Sequence, residues 1–214
     1  MKVHKCIPAL LLTLLTGCGL APPAQPAPVP VSTPAPGAVS TVIDALGEPR
    51  PEDTGAHYDR DAWGDWATGD NGCTTRELVL RRDGRQVTVD DSCRPSCPTE
   101  ACWTSPYDGV AVSDARELQI DHIVPVAEAN RSGARHWSAE QRQAFYNDPD
   151  NLVAVSKAAN SQKSDDDPAE WRPADSYACQ YATTYATVKT KYGLAADADE
   201  VAALRAMATA CPAS

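Results

Sequence analysis

Asp121 and His122 stand side by side in an otherwise apolar segment, QIDHIVPV, which begins at Gln119. The imidazole of histidine has an ordinary pKa of about 6.5, so it is the side chain best suited to exchange a proton near neutral pH. An acid–imidazole pair alone is weak evidence of a site. It becomes informative only if other parts of the chain supply the groups that acid–base chemistry requires.

Two strand-like runs and a helix must bring those groups together. The segment ARELQIDHIVPV alternates in the manner of a strand until Pro125 ends it. A second apolar run over residues 150–156, DNLVAVS, contains Asn151 near its start, and the helical stretch that follows carries Asn160 and Lys163. These last two residues are one helical turn apart and therefore lie on the same face.

The order of these residues resembles that of a known family. DHIVP at 121–125, NDPDNL at 147–152 and NSQK at 160–163 have the spacing of HNH (His-Asn-Asn/His) endonucleases of the ββα-metal type. The chain most resembles the exported HNH nucleases related to the C-terminal domain of GmrSD-type modification-dependent restriction enzymes, over residues 58–211. The resemblance implies an α+β fold with a ββα-metal core at 117–167.

The resemblance also implies roles for five residues. Asp121 and Asn160 would bind one divalent cation, and His122 would activate water to hydrolyse a phosphodiester of DNA, with RNA as a second candidate substrate. A carboxylate and an amide oxygen suit Mg²⁺ or Mn²⁺ better than zinc. Asn151 would bridge the loop that carries the acid and the histidine. Lys163 would contact a phosphate or balance its charge.

The overall charge restricts how nucleic acid is bound. The formal net charge is −10, whereas proteins that coat nucleic acid usually carry a basic surface. Arg131, Arg135 and Arg142 lie between the two strands and are candidates for phosphate contacts, with a solvated surface role as the alternative. We expect a monomer that binds DNA weakly, with salt sensitivity and little sequence specificity.

The first residues predict export. Lys2 and Lys5 precede an apolar stretch, residues 7–15, which is too short to span a membrane and is typical of a signal peptide. LTGC at 15–18 resembles a bacterial lipobox, which implies removal of residues 1–17 and a membrane anchor through a lipid on Cys18. The alternative is a plain secretory signal. Residues 18–41, rich in proline and alanine, favour an extended tether before a domain at 42–214.

Six further cysteines, an even number in an exported chain, favour three disulfides. Their spacing suggests three pairs: Cys97–Cys102 as a small loop, Cys73–Cys93 closing a hairpin, and Cys179–Cys211 joining two helices. A zinc site is the alternative, but export into an oxidising compartment and the irregular spacing disfavour it.

The remaining segments complete the α+β prediction. Residues 76–93, RELVLRRDGRQVTVDDSC, favour an N-terminal hairpin around the turn dipeptide Asp83-Gly84. Residues 127–148 favour a helix in which Ser138 and Gln141 form a capping box. Residues 176–194 and 197–211 favour two C-terminal helices, and Gly193 ends the first.

Two other functions remain open. A surface lipoprotein that keeps the fold as a non-catalytic binding module would also be exported, but such copies usually lose the acid, the histidine or the asparagine. Another hydrolase built on His122 is less favoured, because the G-x-S-x-G elbow of the α/β-hydrolases is absent from the sequence.

Overall fold

The computed structural model describes residues 36–55, 57–69 and 72–212. The expected signal peptide, Cys18 and most of the expected tether lie outside these ranges. The described part forms a mixed α+β fold, in which no helix is both long and apolar enough to cross a membrane. Its α-helices are α1 (Pro36–Asp44), α2 (Thr75–Asp83), α3 (Val126–Arg131), α4 (Ala139–Tyr146), α5 (Lys157–Lys163), α6 (Asp175–Tyr192) and α7 (Ala198–Ala208). Its strands are β1 (Thr88–Val89), β2 (Pro95–Ser96), β3 (Trp103–Thr104), β4 (Ala111–Val112), β5 (Leu118–His122) and β6 (Leu152–Ser156).

The strands form three separate antiparallel pairs, β1 with β2, β3 with β4 and β5 with β6. The β5–β6 pair is the longest, and it places Asp121 opposite Val153 and His122 opposite Leu152. Helix α5 follows β6 directly, because the Ser156 hydroxyl accepts a hydrogen bond from the Ala159 N–H and caps the helix. The two predicted strands and the helix after them are therefore present and contiguous.

Strand β6 is buried on both faces because it lies between two hydrophobic clusters. Val153 and Val155 belong to a large cluster around α6, whereas Leu152 and Ala154 belong to a smaller cluster with α2 and β3. Side chains alternate across a strand, so a sequence of five apolar or small residues fits a strand that is covered on each side.

The N-terminal hairpin predicted for residues 76–93 is wrong. Residues 75–83 form α2 instead, because Thr74 and Glu77 make a capping box and Val79 and Leu80 are buried on one side of the helix. Gly84 ends the helix, and a Cβ atom there would lie 2.6 Å from the ring nitrogen of Trp103. This glycine therefore permits close packing of a helix end rather than a hairpin turn.

The predicted helix boundaries are partly confirmed. The capping box at Ser138 is present and begins α4, but Gly133, with a φ of 126°, separates α3 from that helix. The two C-terminal helices form as predicted, and Gly193 ends α6 in the left-handed conformation. Helix α1 begins inside the segment expected to be an extended tether, because Val39 and Ile43 form an apolar i, i+4 pair that is buried.

Three disulfides cross-link the fold, with the pairing that the spacing predicted: Cys73–Cys93, Cys97–Cys102 and Cys179–Cys211. The first joins the turn before α2 to the loop between β1 and β2, and the third joins α6 to the end of α7. Since these six sulfur atoms are bonded in pairs, they are not thiolate ligands of a zinc ion.

Candidate active site

The end of β5 opens into a cleft of about 460 Å³. Asp121 and His122 lie on opposite faces of the strand, as alternation requires, and both line the cleft because the strand ends there. Asn160 reaches the same cleft from α5. The acid, the imidazole and the amide that the sequence singled out are thus brought together.

The His122 imidazole is held as a neutral base. Its Nε2 lies 2.8 Å from the carbonyl oxygen of Tyr146. A carbonyl only accepts, so Nε2 carries the hydrogen and Nδ1 keeps its lone pair. Burial is the main cause that lowers the pKa of His122 to about 3. The Tyr146 hydrogen bond acts to raise this pKa, and the positive charges of Arg60 and Lys163 lower it further by a smaller amount. The ring therefore stays uncharged at neutral pH.

The imidazole also packs among aromatic rings. Trp66 is nearly parallel to it, with 5.7 Å between ring centres and 8° between planes. Phe145 is parallel at 6.3 Å, and Tyr146 is tilted at 4.6 Å. The sequence gave no sign that Trp66 contacts this histidine.

The Asp121 carboxylate uses one oxygen for the protein. Its Oδ2 accepts a hydrogen bond from the Tyr107 hydroxyl at 2.7 Å and forms an ion pair with the Lys163 amino group at 2.9 Å. Both contacts fall on Oδ2, so Oδ1 is the oxygen with which Asp121 can bind a cation. The sequence did not indicate that Tyr107 is a partner of Asp121.

The predicted phosphate contact of Lys163 does not fit its position. The side chain is fully buried, and besides Asp121 its amino group donates to the carbonyl oxygen of His122 at 2.9 Å. A phosphate in the cleft has no access to a buried amino group with two protein partners. Lys163 instead fixes the strand end that carries the acid and the histidine.

Asn151 occupies the bridging position that the sequence predicted. Its fully buried amide accepts from the Val124 N–H at 2.8 Å and donates to the Val124 carbonyl at 3.2 Å. Its own carbonyl accepts from the Ile123 N–H at 2.8 Å. These bonds hold the turn after His122 against the start of β6.

Asn160 presents its amide oxygen for binding. Its Nδ2 donates to the Gln119 side chain at 2.7 Å, and this bond orients the amide so that Oδ1 remains as the acceptor. In the described part of the chain no hydrogen bond to Asn160 Oδ1 is found. This oxygen and Asp121 Oδ1 are therefore the two ligand atoms suited to a cation in the cleft.

The three arginines proposed as phosphate contacts are outside the cleft lining. Arg131 forms ion pairs with three carboxylates at 2.8, 3.1 and 3.2 Å. Arg135 pairs with Asp53, and Arg142 donates to the carbonyl of Arg135 at 3.0 Å. The geometry does not favour the predicted phosphate contacts, because these guanidinium groups already bind protein oxygens.

Arg60 is a cleft residue that sequence reasoning missed. Its guanidinium donates to the Tyr146 hydroxyl at 2.7 Å and lies 4.7 Å from the centre of the Tyr146 ring. His122 aside, it is the one basic side chain among the described residues that line the cleft. It is far from the motif in sequence, so no local spacing pointed to it.

In a second group of acids, two of the three carboxylates already form ion pairs with protein cations. Glu52, Glu128 and Asp167 place carboxylate oxygens within 4.8 Å of one another. Arg131 pairs with the first two, and Lys189 pairs with Glu128 at 2.6 Å. These contacts make Glu52 and Glu128 part of an ion-pair network of the fold, and no ion pair of Asp167 is found among the described residues.

Comparison with known proteins gives two matches. The family described as GmrSD restriction endonucleases, C-terminal domain, matches residues 77–207. A protein of Arthroderma benhamiae (strain ATCC MYA-4681 / CBS 112371) described as an uncharacterized secreted protein is 40% identical over 195 residues, which are 90% of this chain and 93% of that protein. No solved structure matches.

Proposed function

Since this chain belongs to the family of the C-terminal domain of GmrSD restriction endonucleases, we propose that it is an exported, metal-dependent endonuclease with a ββα-metal core. The observation that carries the proposal is the convergence of Asp121 and His122 from β5 with Asn160 from α5 on one cleft. The substrate is a phosphodiester of nucleic acid, DNA in the first place. The match covers residues 77–207, and the segment before residue 77 lies outside it.

His122 acts on the water molecule. Its Nδ1 is unprotonated and takes a proton as the water attacks phosphorus, while the Tyr146 carbonyl keeps Nε2–H in place. The bond from phosphorus to the 3′ oxygen breaks, and that oxygen takes a proton from solvent and leaves as a 3′-hydroxyl, with a 5′-phosphate on the other product. A neutral ring is essential for this step, and burial keeps it neutral. Lys163 and Asn151 position the strand end and its following turn and do not contact substrate.

Asp121 Oδ1 and Asn160 Oδ1 fit a single hard divalent cation. Carboxylate and amide oxygens are the ligands that Mg²⁺ and Mn²⁺ prefer, and the two-ligand set leaves room for water and a phosphate oxygen. When bound, the cation supplies positive charge for the phosphate as it becomes more negative during the reaction. Lys163 on Oδ2 holds the carboxylate so that Oδ1 faces outward.

The metal requirement is tested with a supercoiled plasmid. We expect nicking with Mg²⁺ or Mn²⁺ and none with excess EDTA, and Asp121→Ala to abolish Mg²⁺ binding in isothermal titration. Unchanged Mg²⁺ binding by that variant would remove Asp121 as a ligand. A well-folded wild-type protein that cleaves neither DNA nor RNA with any of Mg²⁺, Mn²⁺ or Zn²⁺ would favour the alternative, a binding module that keeps the fold.

Arg60 is the proposed phosphate contact. We expect Arg60→Ala to raise the KM for DNA about tenfold, since charge-assisted hydrogen bonds contribute about 1.5–3 kcal/mol. With one cationic contact, the slope of log affinity against log salt concentration should be near −1 in the wild type. In the variant this slope should be smaller in magnitude by about 0.9. Fluorescence anisotropy with labelled oligonucleotide, using a His122→Ala background to prevent cleavage, measures the slope.

The control for Arg60 is Arg116→Ala, which removes an equal charge from an exposed side chain that pairs with Asp114. This control should change neither KM nor the salt slope. An Arg60→Ala protein with the KM and the salt slope of the wild type would show that the phosphate is bound elsewhere.

Export is supported by the three disulfides and by the relative described as secreted. We propose in addition that a lipid on Cys18 holds the protein at a membrane, since LTGC precedes the proline-rich segment. Mass spectrometry of the mature N-terminus distinguishes a lipidated Cys18 from the product of a plain signal peptide.

A further inference from the structure

The segment at residues 57–69 forms one wall of the cleft. Tyr58 and Arg60 line the cleft, and Trp66 stacks on the His122 ring. All three residues precede residue 77, where the family match begins. The cleft is therefore completed by residues that lie before the matched segment.

The Trp66 stack restrains a motion that the Tyr146 hydrogen bond leaves open. The bond from Nε2 fixes one atom of the imidazole, and the ring plane is still able to turn about that bond. An indole at 5.7 Å with 8° between the planes limits this rotation from the side of the 57–69 segment. The direction of Nδ1 follows from the ring plane, so Trp66 sets where the base points.

Trp66 is itself held by the helix that binds the other side of the imidazole. Gln143 of α4 donates to the carbonyl of Asp65 at 2.8 Å, and Asn147 at the end of α4 accepts from the Ala67 N–H at 2.8 Å. Gly64 has a φ of 82°, and a Cβ atom there would lie 1.9 Å from the Gln143 amide oxygen. The backbone on both sides of Trp66 is thus fixed to α4.

The same end of α4 carries the Tyr146 carbonyl. One structural unit therefore supplies the hydrogen bond at Nε2 and the support of the stacking ring. A shift of α4 would therefore move the Tyr146 carbonyl and the support of Trp66 together, so the two contacts to the imidazole would keep their relative positions.

We propose that Trp66 is a positioning residue, which holds the plane of the His122 imidazole so that Nδ1 faces the attacking water. This inference rests on the proposed function, because it assigns a role in the same reaction. Trp66 contacts neither water nor phosphate in this role. Its effect is on turnover and not on substrate binding.

The test compares two substitutions of Trp66. We expect Trp66→Ala to lower kcat about 10- to 100-fold, because a small error in the placement of a reacting group has an effect of that size, and to leave KM within about twofold. Trp66→Phe keeps a stacking ring, so its kcat should return to within about threefold of the wild type.

The matched control is Trp137→Ala. Trp137 is also half-buried and packs on Trp63 and Phe145 in the same aromatic cluster, and no ring contact between it and His122 occurs in the described residues. This variant should lose stability as Trp66→Ala does and keep its kcat. Equal kcat losses in the two alanine variants would show that Trp66 is only a packing residue.

A nuclear magnetic resonance measurement tests the stack without activity. The Cε1–H signal of His122, assigned by its loss in His122→Ala, should be displaced by the indole ring current, and Trp66→Ala should remove that displacement. If His122→Ala is fully active, the proposed function fails. If His122→Ala is inactive while Trp66→Ala has wild-type kcat and an unmoved signal, the positioning role alone fails.

Discussion

Replacement of His122 by alanine will reduce nuclease turnover by about 10²- to 10⁴-fold, the range that a positioned general base contributes. The ring is buried, neutral and fixed through Nε2, so the variant loses its one nitrogen suited to take a proton from water. Asp121 and Asn160 remain in the variant, so metal binding should persist. Single-turnover cleavage of a labelled duplex at saturating Mg²⁺ measures the loss.

The control for this experiment is His136→Ala. His136 is exposed in the short 3₁₀ helix that follows α3. Its ring accepts a hydrogen bond from Arg135, and His136 is not among the residues that line the cleft. It should retain wild-type turnover. Urea unfolding of both variants verifies that each is folded in the assay. A folded His122→Ala protein with turnover within about tenfold of the wild type would exclude the imidazole as the base.

The central part of the site was predictable because it is local in the chain. Asp121 lies on β5, Asn151 lies directly before β6, and Asn160 lies on the helix that follows β6, so sequence spacing alone fixes which side chains meet. The side chains that complete the cleft come from distant segments. Arg60 reaches the cleft, and Tyr107 reaches the Asp121 carboxylate, only through the packing of the whole domain, and no periodic pattern encodes such contacts.

The fold was predicted least well where local signals compete. Residues 76–93 contain a turn dipeptide, Asp83-Gly84, but a capping box from Thr74 to Glu77 overlaps the start of this segment. The box prevails because the helix that it begins buries Val79 and Leu80 against β6 and Trp103. Strands of two residues, such as β1 to β4, are too short to show an alternation that sequence analysis detects.

Buried lysines were the least predictable feature of the interior. Lysine is almost never fully buried unless it is paired, and the family resemblance had implied that Lys163 contacts a phosphate or balances its charge. The structure buries both Lys163 and Lys189 completely. Lys163 binds Asp121, Lys189 binds Glu128 and Glu200, and each of these acids lies on another element of the fold. Such pairing is a property of the packed domain, and it makes each lysine structurally essential.

Replacement of Lys189 by methionine will lower the free energy of unfolding by about 3–5 kcal/mol, the effect of removing one partner from a buried ion pair. The amino group binds the carboxylates of Glu128 and Glu200, the Ser132 hydroxyl and the Ala195 carbonyl. It thereby connects α3, α6 and the start of α7. Methionine fills the space but removes the cation that pairs with Glu200 and leaves Glu128 paired with Arg131 alone. Urea denaturation with the disulfides intact measures the change.

The pH dependence of the deficit identifies its cause. Burial acts to raise the pKa of Glu128, but its contacts, chiefly with Lys189, lower the pKa by more, so the pKa lies below 4.5. In Glu200 the effect of burial is larger than that of Lys189, and the pKa is raised. Without Lys189 both pKa values rise, and the folded variant binds protons that the unfolded chain releases. Its stability therefore falls as the pH increases above about 4.5, and the deficit is larger at about pH 8 than at about pH 5.

Two further variants separate loss of the ion pairs from loss of a positive charge. Arg205→Met removes a charge from an exposed pair with Asp44 and should change stability by about 1 kcal/mol or less. Adding Glu128→Gln and Glu200→Gln to Lys189→Met should restore part of the lost stability, because neutral amides need no cation. A deficit independent of pH and unchanged by the two glutamines would mean that Lys189 stabilises the fold through packing of its chain and not through its charge.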